Sequence, residues 1–112
     1  MLDSNLDSSL SSVALLKLDS EQRAKIFAAL SDPTRLRIVE LLAQSQEMSG
    51  SELANHLEIS LALFCHHSKT LVDCGLVQVR KEGQTKYSSL NRCLLANCLA
   101  SIKGLSDASS SN

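Results

Sequence analysis

The chain has 112 residues, a formal net charge of −1, 44% hydrophobic residues and only 3% aromatic ones. That length sets one small domain with a modest core, so a homodimer that buries further surface is expected. It holds no apolar run of the ~20 residues that a membrane span needs, so no membrane partner is expected.

The opening residues lack the basic start and apolar stretch of a signal peptide, and a cytoplasmic location is expected. In that compartment Cys65, Cys74, Cys93 and Cys98 should be free thiols, and no two of them form a C-x-x-C pair. The net charge alone argues against a nucleic-acid binder, but its distribution does not. From Cys65 to Arg92 there are five bases (Lys69, Arg80, Lys81, Lys86, Arg92) against two acids (Asp73, Glu82), whereas residues 1–64 hold five bases against nine acids. For steering a polyanion, local sign outweighs net sign.

In chain order, residues 1–8 are rich in Ser and Asp and read as a disordered tail. The stretch SSLSSVALLKL offers an apolar face through Leu10, Val13, Ala14 and Leu16 or Leu18, and predicts a short helix. SEQRAKIFAAL predicts a second helix with Ser20 as its N-cap. In SDPTRLRIVELLAQ, Asp32 is a good N-cap and Pro33 suits the first helical position, where its missing N–H costs nothing. Leu36, Ile38, Val39, Leu41 and Leu42 make this third helix apolar around much of its circumference and the expected centre of the core.

Ser49 and Glu52 then stand at capping-box spacing, ahead of Leu53, Ala54 and Leu57 on one face. After a short break Ser60 caps another helix that runs to Cys74 and is stopped by Gly75. Two short helices joined by a tight turn are the helix-turn-helix pattern. Beyond Gly75 the period changes to two, with Val77 and Val79 on one side, a turn at Glu82-Gly83-Gln84 and a return through Tyr87, which predicts a β-hairpin with a basic tip. A last helix runs from the Asn91 cap to a Gly104 stop, with Leu94, Leu95, Cys98, Leu99 and Ile102 on its apolar face. The domain thus spans residues 9–104, and 105–112 form a second disordered tail. The fold class is mainly α with a small β-hairpin wing.

Those elements, in that order, make a winged helix-turn-helix. The stretches ALSDPTRLRIVELLA, ELANHLEIS, HHSKTLVDCGLV and RKEGQTKYSSL closely resemble the ArsR/SmtB family of bacterial transcriptional repressors, over roughly residues 20–100. The resemblance implies a homodimer that pairs through its first and last helices. It also implies binding to double-stranded operator DNA and release by an inducer.

The residues themselves agree. At 100° per residue Leu57, Phe64 and Leu71 share an inward face, and Ala62, Cys65, His66 and Lys69 lie away from it. The helix 60–74 therefore offers Ser60, Leu61, Ala62, Cys65, His66, His67 and Lys69 to a major groove, and the wing 80–87 offers Arg80, Lys81, Gln84 and Lys86 to phosphates. Two copies about a twofold axis would read a palindrome. Where the family usually has Gln, Ser or Thr near the start of this helix, the chain has Leu61, Ala62 and Leu63; Ser68 replaces a core Leu, and Cys65 replaces the Ser that commonly precedes the first His.

The family's metal sites can be checked one by one. A cysteine pair before the helix-turn-helix becomes Ser49 and Ser51, and hydroxyls are poor ligands for soft ions. An Asp-x-His site on the last helix becomes Asn91-Arg92-Cys93, with no later His. A persulfide-sensing Cys becomes Glu40, and the companion of Cys74 in cadmium and lead sensors becomes Thr70. What remains is Cys93 and Cys98 on the last helix, followed by Cys74 and Cys65, as thiols for As(III), another thiophilic ion, or an oxidant. No cofactor is otherwise implied. An enzyme is not expected: Cys65 and its neighbouring histidines point about 100° apart on a helix, and no oxyanion or cofactor loop accompanies them. The alternatives are a winged-helix module that binds protein through Leu61-Ala62-Leu63, or a non-inducible regulator whose cysteines are structural.

Overall fold

A computed structural model describes residues 18–102. The predicted first helix falls mainly on residues outside this range, as do the Gly104 stop and both tails. Local capping chemistry sets each element. Helix α1 spans Ser20–Leu30, and its N-cap is Asp19 rather than Ser20. The Asp19 carboxylate accepts the Gln22 N–H at 2.8 Å while the Gln22 side chain accepts the Asp19 N–H at 3.1 Å. This reciprocal pair satisfies two donors at once, which a cap at Ser20 would not do, so the carboxylate one residue earlier wins.

Helix α2 (Pro33–Ala43) starts as expected, with the Asp32 carboxylate accepting the Arg35 N–H at 3.0 Å and Pro33 in the first turn. Strand β1 is only Met48–Ser49. Ser49 also caps helix α3 (Gly50–Leu57) through a capping box with Glu52. Helix α3 ends at Glu58 in the left-handed region, φ 56°. Ser60 then caps helix α4 (Leu61–Asp73) by accepting the Leu63 N–H at 3.1 Å.

Helix α4 closes in a Schellman arrangement. Leu76 N–H donates to Leu71 O and Gly75 N–H to Val72 O, both at 3.0 Å, with Gly75 at φ 87°. Leu71 and Leu76, the residues brought together by this turn, are both fully buried. Strands β2 (Val77–Glu82) and β3 (Thr85–Leu90) follow as an antiparallel pair joined by Gly83-Gln84. Helix α5 (Arg92–Ala100) is capped by the Asn91 side chain.

The sheet order is β1-β3-β2, so the expected hairpin gains a third strand, with Met48 opposite Ser88 and Ser49 opposite Tyr87. Val77 is buried but Val79 is exposed, because the ribbon leaves the core after its first residue. The core joins Ile26, Ile38, Val39, Leu42, Leu53, Leu57, Phe64, Leu71, Leu76, Leu94 and Cys98. Leu36, expected inside, is exposed, so α2 buries a stripe rather than most of its circumference.

Helix α5 is docked by a polar contact as well as by Leu94 and Cys98. The Arg92 guanidinium donates to the carbonyls of Leu42, Ala43 and Ser45 at 2.9–3.2 Å. These lie at the C-terminal end of α2, where carbonyls lack helical partners and the helix dipole favours a cation.

A Cβ at Gly75 would meet Leu94 Cδ2 at 3.1 Å, whereas one at Gly83 (φ 62°) would meet nothing within 4 Å. Gly83→Ala should therefore cost only the left-handed backbone penalty, about 1–2 kcal/mol. Gly75→Ala should cost more, because α5 must also give way. Urea unfolding of the two variants checks the order, and equal losses would mean that the Leu94 side chain yields freely.

Candidate nucleic-acid interface

The face of α4 opposite Phe64 and Leu71 is bare. Ala62, Cys65, His66 and Lys69 are all exposed, and Lys69 makes an exposed i,i+4 pair with Asp73 at 3.1 Å. Leu61 joins them at the wing side, with 52% of its surface accessible. The Ser60 hydroxyl accepts the helix's own N–H and keeps its proton to donate outward. No acidic residue lies in the first turn, so the positive end of the helix dipole is unopposed there.

A groove separates this helix from the wing. Leu61, Phe64, Cys65, Ser68, Lys69 and Val72 form one wall, and Val79, Lys81, Gln84, Thr85, Lys86 and Ser88 the other. Lys81 and Lys86 are direct cross-strand partners and make no ion pair among the described residues. Like charges placed directly opposite repel each other, so the wing tip presents an uncompensated cationic pair.

Two residues assigned to the DNA surface from sequence sit differently. His67 has a side chain only 12% exposed and is turned toward the start of α2. Its Nδ1 lies 3.2 Å from Arg35 Nη1 and 3.8 Å from the Asp32 carboxylate. One position along a helix is 100° of rotation, which takes His67 off the face that carries His66. Arg35 in turn donates from Nε to Ala29 O at 2.7 Å. His67 thus ties α4 to the junction of α1 and α2. Asp32 is held below the usual carboxylate range, first by the Arg35 N–H it accepts and then by the His67 and Arg35 charges, against a desolvation cost.

Arg80 is also engaged within the chain. Its Nε donates to Glu47 at 2.9 Å, its Nη1 to Glu82 at 2.7 Å, and its guanidinium lies 4.7 Å from the centre of the Tyr87 ring. The hydrogen bonds to Glu47 and Glu82 push its pKa further up, and Arg80 holds Glu47 below the ordinary glutamate value. Arg80 therefore braces the wing, while Lys81 and Lys86 keep no ion-pair partner among the described residues. The sequence signal for this brace was faint, because Glu47 and Arg80 are 33 positions apart.

The four cysteines occupy four environments. Cys65 is exposed on the groove, and Cys93 is exposed on α5 near the Asn97 amide at 3.8 Å. Cys74 is half-buried, with its thiol donating to Leu71 O at 3.4 Å. Cys98 is buried, and that burial pushes its thiol pKa up. Among the described residues no cluster of three or more His, Cys, Asp or Glu side chains could hold a metal ion.

Both perturbed carboxylates have folded pKa values below their unfolded ones. Their stabilisation is therefore fully present above the ordinary carboxylate range and is lost as pH falls through the folded values. A chain carrying Asp32→Asn and Glu47→Gln should melt lower than the native one at pH 7. The gap between the two melting temperatures should narrow as pH falls below the ordinary carboxylate range, and a constant gap would contradict the assignment.

The comparisons with known proteins accord with this geometry. A family model described as "Bacterial regulatory protein, arsR family" matches residues 32–79. The chain is 39% identical over 77 residues to a cadmium resistance transcriptional regulatory protein CadC homolog of Staphylococcus aureus, covering 69% of this chain and 64% of that protein. It is 33% identical over 82 residues to the arsenical resistance operon repressor of the same species, covering 73% and 78%. A crystal structure of an ArsR family transcriptional regulator superposes with a TM-score of 0.71 at 26% identity, covering 84% of this chain and 96% of the other. A homodimeric winged helix-turn-helix DNA-binding domain from Mycobacterium bovis, described as a possible ArsR-family regulator, gives 0.63 at 27% identity, covering 73% and 77%. With its winged helix-turn-helix and these relatives, the chain belongs to the ArsR family of bacterial regulatory proteins.

Proposed function

We propose that the chain acts in the cytoplasm as a homodimeric repressor that binds a palindromic operator, with α4 in the major groove and the wing on the flanking backbone. The observation that carries this is the bare Ala62, Cys65, His66 and Lys69 face beside the Lys81 and Lys86 tip. A twofold partner is supported by Leu99 on α5 and Ile102 just beyond its end, exposed at 47% and 44%, and by the homodimeric Mycobacterium bovis domain.

Release would follow from a thiophilic ion of the As(III) or cadmium type, or from an oxidant. The relatives named for cadmium and arsenical resistance support this chemistry. Cys93 is the accessible thiol on α5, and Cys98 would react only after α5 loosens. The exposed Leu61 and Leu63 favour one second reading, an apolar surface for another protein. Salt separates the two, since phosphate contacts weaken steeply with ionic strength and an apolar contact does not.

Lys81→Ala together with Lys86→Ala should weaken binding to operator and unrelated duplex alike in fluorescence anisotropy. The salt slope should flatten by about one for each phosphate that is no longer neutralised. A weakening confined to one sequence would remove the two lysines from the backbone set. Cys93→Ser with Cys98→Ala should keep operator binding and lose release by As(III) and Cd(II); alanine is chosen at 98 because a buried hydroxyl without a partner would itself destabilise. A double variant still released by these ions would transfer sensing to Cys65 or Cys74.

A further inference from the structure

Reading bases in a major groove ordinarily uses side chains with paired donors and acceptors, such as Arg on guanine or Asn and Gln on adenine. The outward surface over the first turns of α4 has none of these. Its residues are Leu61, Ala62, Cys65 and His66, and the next polar group, Lys69, already pairs with Asp73. At 100° per residue Leu61, Ala62 and Cys65 fall within one arc of about 100°, so they form a single edge. Core packing does not account for them, because Phe64 and Leu71 fill the inward face and Leu61 keeps more than half of its surface in water. Along the helix the edge continues to the exposed Val72, and across the groove it meets the exposed Val79.

The major groove displays one apolar group, the 5-methyl of thymine. We propose that Leu61, Ala62 and Cys65 read the operator by packing on thymine methyls, so that sequence preference at these positions is a preference for methyl-bearing pairs. This rests on the DNA-binding function proposed above. Small side chains at 62 and 65 let the helix approach closely, and Leu61 reaches sideways to a neighbouring pair. Burying one methyl against such an edge is worth about a fourfold change in affinity.

The test uses the full-length chain and operator duplexes from its own promoter, with single thymidines replaced by deoxyuridine. That exchange keeps the base pair and removes only the methyl. Anisotropy should show a loss of about three- to fourfold at one or two positions in each half-site and none elsewhere. A chain with Leu61→Gln should lose the penalty at the position Leu61 faces. A duplex fully substituted with deoxyuridine that binds as tightly as the thymidine duplex, with steep salt dependence retained, would overturn methyl reading while leaving DNA binding in place. Failure to bind either duplex would overturn both.

Discussion

A helix that must meet a ligand with one face has to be held by the other, and α4 is held by less than half of its circumference. Phe64 and Leu71 anchor it in the core. The Ser60 cap fixes where it starts, and the turn at Gly75 fixes where it stops. His67, reaching Arg35 and Asp32, limits rotation about the helix axis. With both ends and one flank fixed, the exposed residues can present an apolar edge to solvent without unravelling the fold. The remaining elements support this arrangement: α2 supplies the surface under His67, and α3 with β1 closes the floor of the groove.

Intramolecular pairing decides which cations are available outside. The overall charge is −1, yet the wing keeps a positive tip because Arg80 takes up Glu47 and Glu82. Arg92 is likewise committed, to the carbonyl end of α2. Lys69 pairs with Asp73, so a count of bases from Cys65 to Arg92 overstates the charge offered outside, and the cations of that stretch with neither an ion pair nor a carbonyl partner among the described residues reduce to Lys81 and Lys86.

Much of the fold was legible in the sequence because caps and periods act locally. The caps at Asp32, Ser49, Ser60 and Asn91 are each where the side chain and its spacing place them. The burial of Phe64 and Leu71, seven positions apart on α4, follows from helical rotation alone, whereas Leu57 lies before the Glu58 break and is buried as part of α3. What was not legible depended on distant partners. Two residues at Met48 and Ser49 cannot signal a strand; they become one only because β3 lies alongside. His67 and Arg80 look like free basic residues until Arg35 and Glu47 are brought to them, 32 and 33 positions away in sequence. Asp19 and Ser20 are both good caps, and the choice fell to Gln22, which could close a reciprocal pair only with Asp19.

The facing lysines of the wing carry a further consequence. Because Lys81 and Lys86 oppose each other across β2 and β3, each raises the free energy of the unbound hairpin. Mobile ions screen that repulsion within a Debye length of roughly 10 Å at 0.1 M salt. Added salt therefore relaxes the free wing, and in the binding mode proposed above the same salt would weaken its grip on a phosphate backbone. In that binding mode a bound phosphate would relieve the repulsion as well, part of the affinity would come from repulsion released within the hairpin, and ionic strength would act on the free and bound states in opposite directions.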